Sequence, residues 1–141
     1  MQLFLERCGE KHLPVTAQRR AVLEAVLELD NHPNAEQVHA CVVRRMPEVN
    51  HTTVYRSLET LVKLGILTRL CHPGRVVRFD PRTRVHHHLI CLQCDCVIDI
   101  EDDRLDELPI PDTSPHGFEL QDHRVLMRGL CRLCRNKEEG S

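Results

Sequence analysis

The sequence predicts a chain of the α+β class, built as two small domains joined by a short linker. Three observations carry that prediction. Apolar residues recur at helical spacing in stretches opened by Thr16, Asn34 and Asn50. Two short β-rich runs follow at once, Leu67-Thr68-Arg69-Leu70 and Arg75-Val76-Val77-Arg78-Phe79, around a His72-Pro73-Gly74 turn. Beyond Val85 the pattern is that of strands, among which stand two cysteine pairs, Cys91-Leu92-Gln93-Cys94 and Cys131-Arg132-Leu133-Cys134.

Taken in order, the first helix starts at Thr16, a good N-cap, and presents Ala21, Val22, Ala25, Val26 and Leu29 to the core. Asp30-Asn31-His32-Pro33 breaks it. Asn34 with Gln37 three residues on has the capping-box pattern, and the second helix is expected to run to about Met46, before Pro47. Asn50 caps the third helix, whose buried stripe is Val54, Leu58 and Leu61, and Gly65 ends it. The opposite face carries Thr52, Tyr55, Arg56, Glu59 and Lys63. A hydroxyl, an aromatic ring and a guanidinium near a helix start are what a recognition helix offers to base edges and phosphates. The same residues also make an ordinary solvated face. Three helices plus a hairpin is the winged helix-turn-helix plan. The expected division is a winged-helix domain over 1–80, a polar, proline-broken linker over 81–84, and a metal-binding α/β domain over 85–141. In that last domain strands are expected over 85–91, 96–100 and 118–127, with a short helix over 102–108.

The carboxyl half is written around metal. A C-x-x-C pair puts two thiolates on one tight turn, and two such pairs supply the four sulfurs of a closed tetrahedral zinc site: Cys91, Cys94, Cys131 and Cys134. His86-His87-His88 and nearby carboxylates offer a harder nitrogen and oxygen set, suited to iron, manganese, zinc or cobalt. Structural sulfur beside a switchable nitrogen/oxygen set fits a metal sensor better than a metalloenzyme. Eight cysteines also fit a disulfide scaffold. The start of the chain, however, lacks the basic flank and apolar length of a secretion signal, and no stretch is long and apolar enough for a bilayer. The expected compartment is therefore the cytoplasm, where thiols stay reduced. Charge divides with the domains. Residues 1–82 hold 12 Lys+Arg and 9 Asp+Glu, net +3, and residues 83–141 hold 7 and 12, net −5. A basic amino half beside an acidic carboxyl half fits a nucleic-acid reader joined to a metal module.

These ordered motifs resemble the ferric uptake regulator family of metal-dependent transcriptional repressors, from about Val15 to Cys134. The resemblance rests on Thr16-x-Gln18-Arg19, His32-Pro33 before a helix, Thr53-Val54-Tyr55-Arg56, and His86-His87-His88-Leu89-Ile90-Cys91 followed by the second cysteine pair. It implies a homodimer, held by the carboxyl-terminal α/β dimerisation domain, that binds AT-rich inverted-repeat DNA when loaded with metal. It implies structural Zn²⁺ on Cys91, Cys94, Cys131 and Cys134, and a regulatory Fe²⁺ or Mn²⁺ on His32, Asp80, His86, His88 and Asp99. His87, Asp106 and His123 match positions that many relatives use for an additional metal, although Val85 stands where another ligand is often found. Beside Thr52, Tyr55 and Arg56, Arg19 or Lys11 is the substitute for a basic DNA contact that relatives place where this chain has Pro14.

Asp99 resembles the peroxide-responsive branch, which carries aspartate there, whereas iron sensors generally carry glutamate. In that branch ferrous iron reacts with hydrogen peroxide and a histidine ligand is oxidised; the matching targets are His32 and His86. An iron-responsive uptake repressor is the alternative, and a zinc-responsive one would need a thiolate such as Cys71. Beyond metal and peroxide no small-molecule substrate is expected, and no membrane partner. A metallohydrolase would need a nucleophile motif or an HExxH helix, which the sequence lacks, and a plain zinc-ribbon module would leave the amino half unexplained. Two further departures from the family bear on structure. Asp95 replaces a glycine, and Pro109, Pro111 and Pro115 should stop a usually longer helix near Leu108.

Overall fold

The computed structural model describes residues 1–71 and 75–140. The expected His72-Pro73-Gly74 turn lies outside the described residues. The chain divides into two compact units, the first Met1–Thr83 and the second beginning at Arg84.

In the first unit, helices α1 (Gln2–Glu10), α2 (Ala17–Leu29), α3 (Ala35–Val42) and α4 (His51–Lys63) precede strands β1 (Thr68–Leu70) and β2 (Arg78–Asp80). The Thr16 hydroxyl accepts from the Arg19 N–H at 3.1 Å and opens α2. Asn34 and Gln37 close a reciprocal capping box on α3, at 2.8 and 2.9 Å. Asn50 Oδ1 accepts from the Thr53 N–H at 2.9 Å and opens α4. Gly65, at φ 71°, ends α4. Its N–H donates to Val62 and that of Ile66 to Leu61, the paired bonds of a Schellman cap. Val22, Val26, Val38, Val54, Leu58 and Leu61 meet in the core, and Phe79 of β2 closes it. Burying each such side chain is worth about 1.5–3 kcal/mol.

Three expectations shift here. Helix α3 stops at Val42 rather than Met46, and the chain tightens into a turn in which the Arg45 N–H donates three residues back to the Val42 carbonyl. Strand β2 begins at Arg78 rather than Arg75 and reaches Asp80, which pairs with Thr68 in an antiparallel ribbon. Helix α1 was not expected. It has no side-chain cap and buries only Phe4 and Cys8, yet both reach the same core. Three packed helices followed by a two-stranded ribbon is the order a winged helix-turn-helix requires.

The second unit is a three-stranded sheet in the order β4-β3-β5. Strand β3 (His87–Cys91) is central, antiparallel to β4 (Val97–Ile100) and parallel to β5 (Leu126–Gly129). Helix α5 (Asp103–Asp106), a 3-10 turn (Ser114–His116) and helix α6 (Arg132–Glu139) complete it. The strand expected over 118–127 is confined to β5, and Phe118 is 61% exposed. Helix α5 is shorter than expected, with Glu107 as its C-cap two residues before Pro109. Helix α6 was not expected, since only Cys134 of it is buried. The apolar side chains this unit buries are Ile90, Cys91, Val97 and Cys134, joined by His86, His87 and His88. That is too little to hold a domain of this size by the hydrophobic effect alone. No helix among the described residues is long and apolar enough to cross a membrane.

Candidate metal centres

The thiol cluster is built from the ends of three elements. Cys91 closes β3, Cys94 sits in the tight turn after it, and Cys131 caps α6 with Cys134 one turn inside. Parallel pairing of β3 with β5, including Cys91 against Gly129 and a bond from the Leu92 N–H to the Gly129 carbonyl at 2.8 Å, delivers the second pair to the first. Cys94 and Cys131 sulfurs lie 3.8 Å apart. Backbone N–H groups point at sulfur: the Cys131 N–H donates to Cys91 Sγ at 3.4 Å. That bond, with others from Cys94 and Gln93, brings the Cys91 thiol down to about 6. A bond from the Cys134 N–H lowers Cys131 in the same way. Burial first, and then its thiol neighbours, push Cys134 up to about 12. All eight cysteines are free thiols. Four soft donors on tight turns, with N–H groups already arranged for thiolate charge, fit Zn²⁺. The sulfurs of Cys91, Cys94, Cys96 and Cys131 all lie within 4.8 Å of one another, a group that contains Cys96, which the paired spacing left out, and does not contain the expected Cys134.

The nitrogen and oxygen ligands form a group in each unit. In the first, His32 is buried and its Nε2 lies 3.3 Å from Asp80 Oδ2. Asp30, Asn31 and His32 all take positive φ, at 43°, 77° and 57°. Strand β2 holds that unusual loop: the Phe79 N–H donates to the Pro33 carbonyl at 2.9 Å and Arg78 to the His32 carbonyl at 3.0 Å. Imidazole and carboxylate are thus set against each other by neighbouring backbone.

In the second unit His86, His88 and Asp99 converge. His86 Nε2 and His88 Nε2 are 3.1 Å apart, and Asp99 Oδ1 lies 3.1 Å from the first and 3.3 Å from the second. His88 stands opposite Asp99 in the β3–β4 register. His86 Nδ1 donates to the Arg84 carbonyl at 2.7 Å, which fixes the tautomer and turns the Nε2 lone pair toward the other two ligands. Both rings are buried, and Asp99 is partly open. Two imidazole nitrogens and a carboxylate oxygen facing one point could hold a metal ion of intermediate hardness.

His87 faces the other way along the strand. Its Nδ1 accepts from the Val125 N–H at 2.9 Å and its Nε2 lies 2.7 Å from Asp106 Oδ1. His123 Nε2 donates to the Leu105 carbonyl at 2.7 Å, and its ring centre is 6.0 Å from that of His87.

On α4, Thr52, Tyr55, Arg56 and Lys63 are exposed, Tyr55 at 53%, while Glu59 pairs with Arg69 of β1 and ties the ribbon to the helix. A cleft lined by Thr16, Gln18, Arg19, Thr53 and Arg56 joins the start of α2 to this face, and Arg19 donates to the Pro14 carbonyl at 2.7 Å.

The family model described as "Ferric uptake regulator family" matches residues 10–128. The chain belongs to the ferric uptake regulator family. It is 35% identical over 129 residues to the ferric uptake regulation protein of Bacillus subtilis, covering 88% of this chain and 87% of that one. It is 29% identical over 127 residues to the peroxide-responsive repressor of Staphylococcus epidermidis, covering 90% and 83%. The Vibrio cholerae ferric uptake regulator has a similar structure, with a TM-score of 0.69 at 29% identity over 89% of this chain and 98% of that one. Members of the ferric uptake regulator family are metal-dependent transcriptional regulators, not enzymes, which sets aside the metallohydrolase and zinc-ribbon alternatives.

Proposed function

We propose that this chain is a homodimeric repressor that binds AT-rich inverted-repeat DNA and releases it in response to hydrogen peroxide. In this reading a structural Zn²⁺ sits on Cys91, Cys94, Cys131 and Cys134. One regulatory Fe²⁺ or Mn²⁺ draws on His32 and Asp80 from the first unit and on His86, His88 and Asp99 from the second. The triad of His86, His88 and Asp99 is the observation that carries the proposal. It offers three converging donors, short of a full sphere for Fe²⁺ or Mn²⁺, and the imidazole–carboxylate pair of the first unit is of the same chemical kind. A metal that needs ligands from both units selects one arrangement of them, and so sets the spacing of two α4 helices in a dimer. Ile98 and Met127, exposed and flanking Leu89 across the sheet, supply apolar surface such a dimer would cover.

Asp99, an aspartate as in the peroxide-responsive branch, supports peroxide as the signal. Ferrous iron, when bound, supplies the oxidising chemistry toward peroxide: a ring carbon of His32 or His86 gains one oxygen atom and the rest of the peroxide leaves as water. An oxidised ring is a poor ligand, and DNA is released. The 35% identity to the Bacillus subtilis ferric uptake regulation protein favours a second reading, an iron-responsive repressor. Mass spectrometry of anaerobically iron-loaded protein after mild peroxide separates them. One added oxygen on His32 or His86, operator release, and protection by Mn²⁺ are expected. Unmodified histidines with DNA still bound would leave the iron-responsive reading.

A further inference from the structure

The thiol cluster holds more sulfur than one zinc ion takes. On the reading of a structural zinc, we infer that Cys96 is an alternate ligand, competing with Cys134 for the fourth position beside Cys91, Cys94 and Cys131. Zinc–sulfur bonds of about 2.3 Å in a tetrahedron place the sulfurs about 3.8 Å apart. Cys94 and Cys131 already meet that spacing at 3.8 Å, and Cys96 lies with them and Cys91 inside a 4.8 Å group. Cys96 has Cys94 and Cys131 as thiol neighbours, and Cys134 has Cys131, Cys91 and Cys94. Cys91, Cys94 and Cys131 are therefore common to the sulfur group that Cys96 completes and to the set that the sequence completes with Cys134.

The competitors differ in what they hold. Cys96 lies just before β4, on the same hairpin as Cys91 and Cys94, and reaches the cluster with no help from α6. Cys134 is inside α6, and its ligation clamps that helix to the sheet. Exchange balances without any oxidant: Cys96 enters as thiol, gives its proton to the departing Cys134 thiolate, and the count of zinc–sulfur bonds is unchanged. Zinc thus stays bound while its grip on the last helix changes. The thiol outside the sphere at any moment is the one open to alkylation.

Cobalt(II) in place of zinc, in the full-length protein, counts thiolates through charge-transfer intensity and tetrahedral d–d bands. Wild type, Cys96→Ser and Cys134→Ser should all give a four-sulfur spectrum, and the double variant a three-sulfur one. A three-sulfur spectrum already in Cys134→Ser would overturn the inference. Wild type without four sulfurs would instead remove the zinc reading on which it rests. Should Cys134→Ser not fold, N-ethylmaleimide on zinc-loaded wild type decides. Label shared between Cys96 and Cys134 supports exchange; Cys96 fully labelled with Cys134 protected refutes it.

Discussion

Asp95 sits between two clustered thiols at φ 63°, in the left-handed region that favours glycine. A side chain there costs roughly 1–2 kcal/mol, less for aspartate and asparagine, which tolerate the conformation. Asp95→Gly is therefore expected to leave the thermal midpoint of zinc-loaded protein unchanged or raise it slightly. Asp95→Val should lower it by about 1–2 kcal/mol of stability; equal midpoints would mean the turn is not held in solution. Asp102 makes a second residue-scale prediction. Side-chain bonds from Arg104, and then its backbone N–H, hold the Asp102 carboxyl at about 2, below its ordinary 3.8. A depressed acid gives its full stabilisation above 3.8 and loses it as pH falls through about 2, so this cap on α5 survives mild acid. An NMR titration of that carboxyl with its midpoint at the ordinary value would contradict the cap.

At the scale of elements, helix α4 carries the DNA prediction. Arg56→Ala should weaken operator binding and, if the contact is to phosphate, flatten the salt dependence of log K by about 0.9. Unchanged affinity in both Arg56→Ala and Tyr55→Phe would move the reading face elsewhere. The helices with a full apolar stripe and a side-chain cap, α2, α3 and α4, were legible in the sequence because those signals are local. Helix α1 was hidden, since a helix that buries only Phe4 and Cys8 leaves no periodic stripe. Helix α6 was hidden beneath its own cysteine motif, its remaining residues being largely polar. The alternation Phe118, Leu120 reads as strand, yet both side chains are exposed and the chain pairs only from Leu126. Apolar residues there face outward, and period alone does not say which side of a sheet is covered. Cys96, near the first cysteine pair in sequence but outside the expected zinc set, joins the sulfur group for a related reason: spacing reports pairs, and its proximity to Cys131 comes from the fold.

For the whole molecule, the first unit has an apolar core and the second depends on polar and sulfur contacts. Metal removal should therefore act on the units separately. Chelation of zinc is expected to melt the second unit while Met1–Thr83 keeps its helices, checked by hydrogen exchange resolved along the chain. A single cooperative loss across both units would refute this. His88→Ala, by contrast, should keep zinc and fold but lose metal-dependent operator binding in a mobility-shift assay.

His87 extends this to a residue outside the five proposed ligands. It is fully buried between His86 and His88, anchored behind the strand by Asp106 and the Val125 N–H. Two neighbours of a moored side chain have little freedom left to lose when an ion arrives. In the proposed regulatory site, the metal concentration for half-occupancy would then be set partly from behind the strand. Asp106→Ala would leave a buried N–H of His87 short of its partner, at a cost of about 1–3 kcal/mol, partly relieved by water because Asp106 is half exposed. With all five proposed ligands intact, half-occupancy by Mn²⁺ should move to higher concentration by up to about tenfold, since 1.4 kcal/mol is a factor of ten. Calorimetry would read that shift, and an unmoved set point would mean the strand needs no mooring.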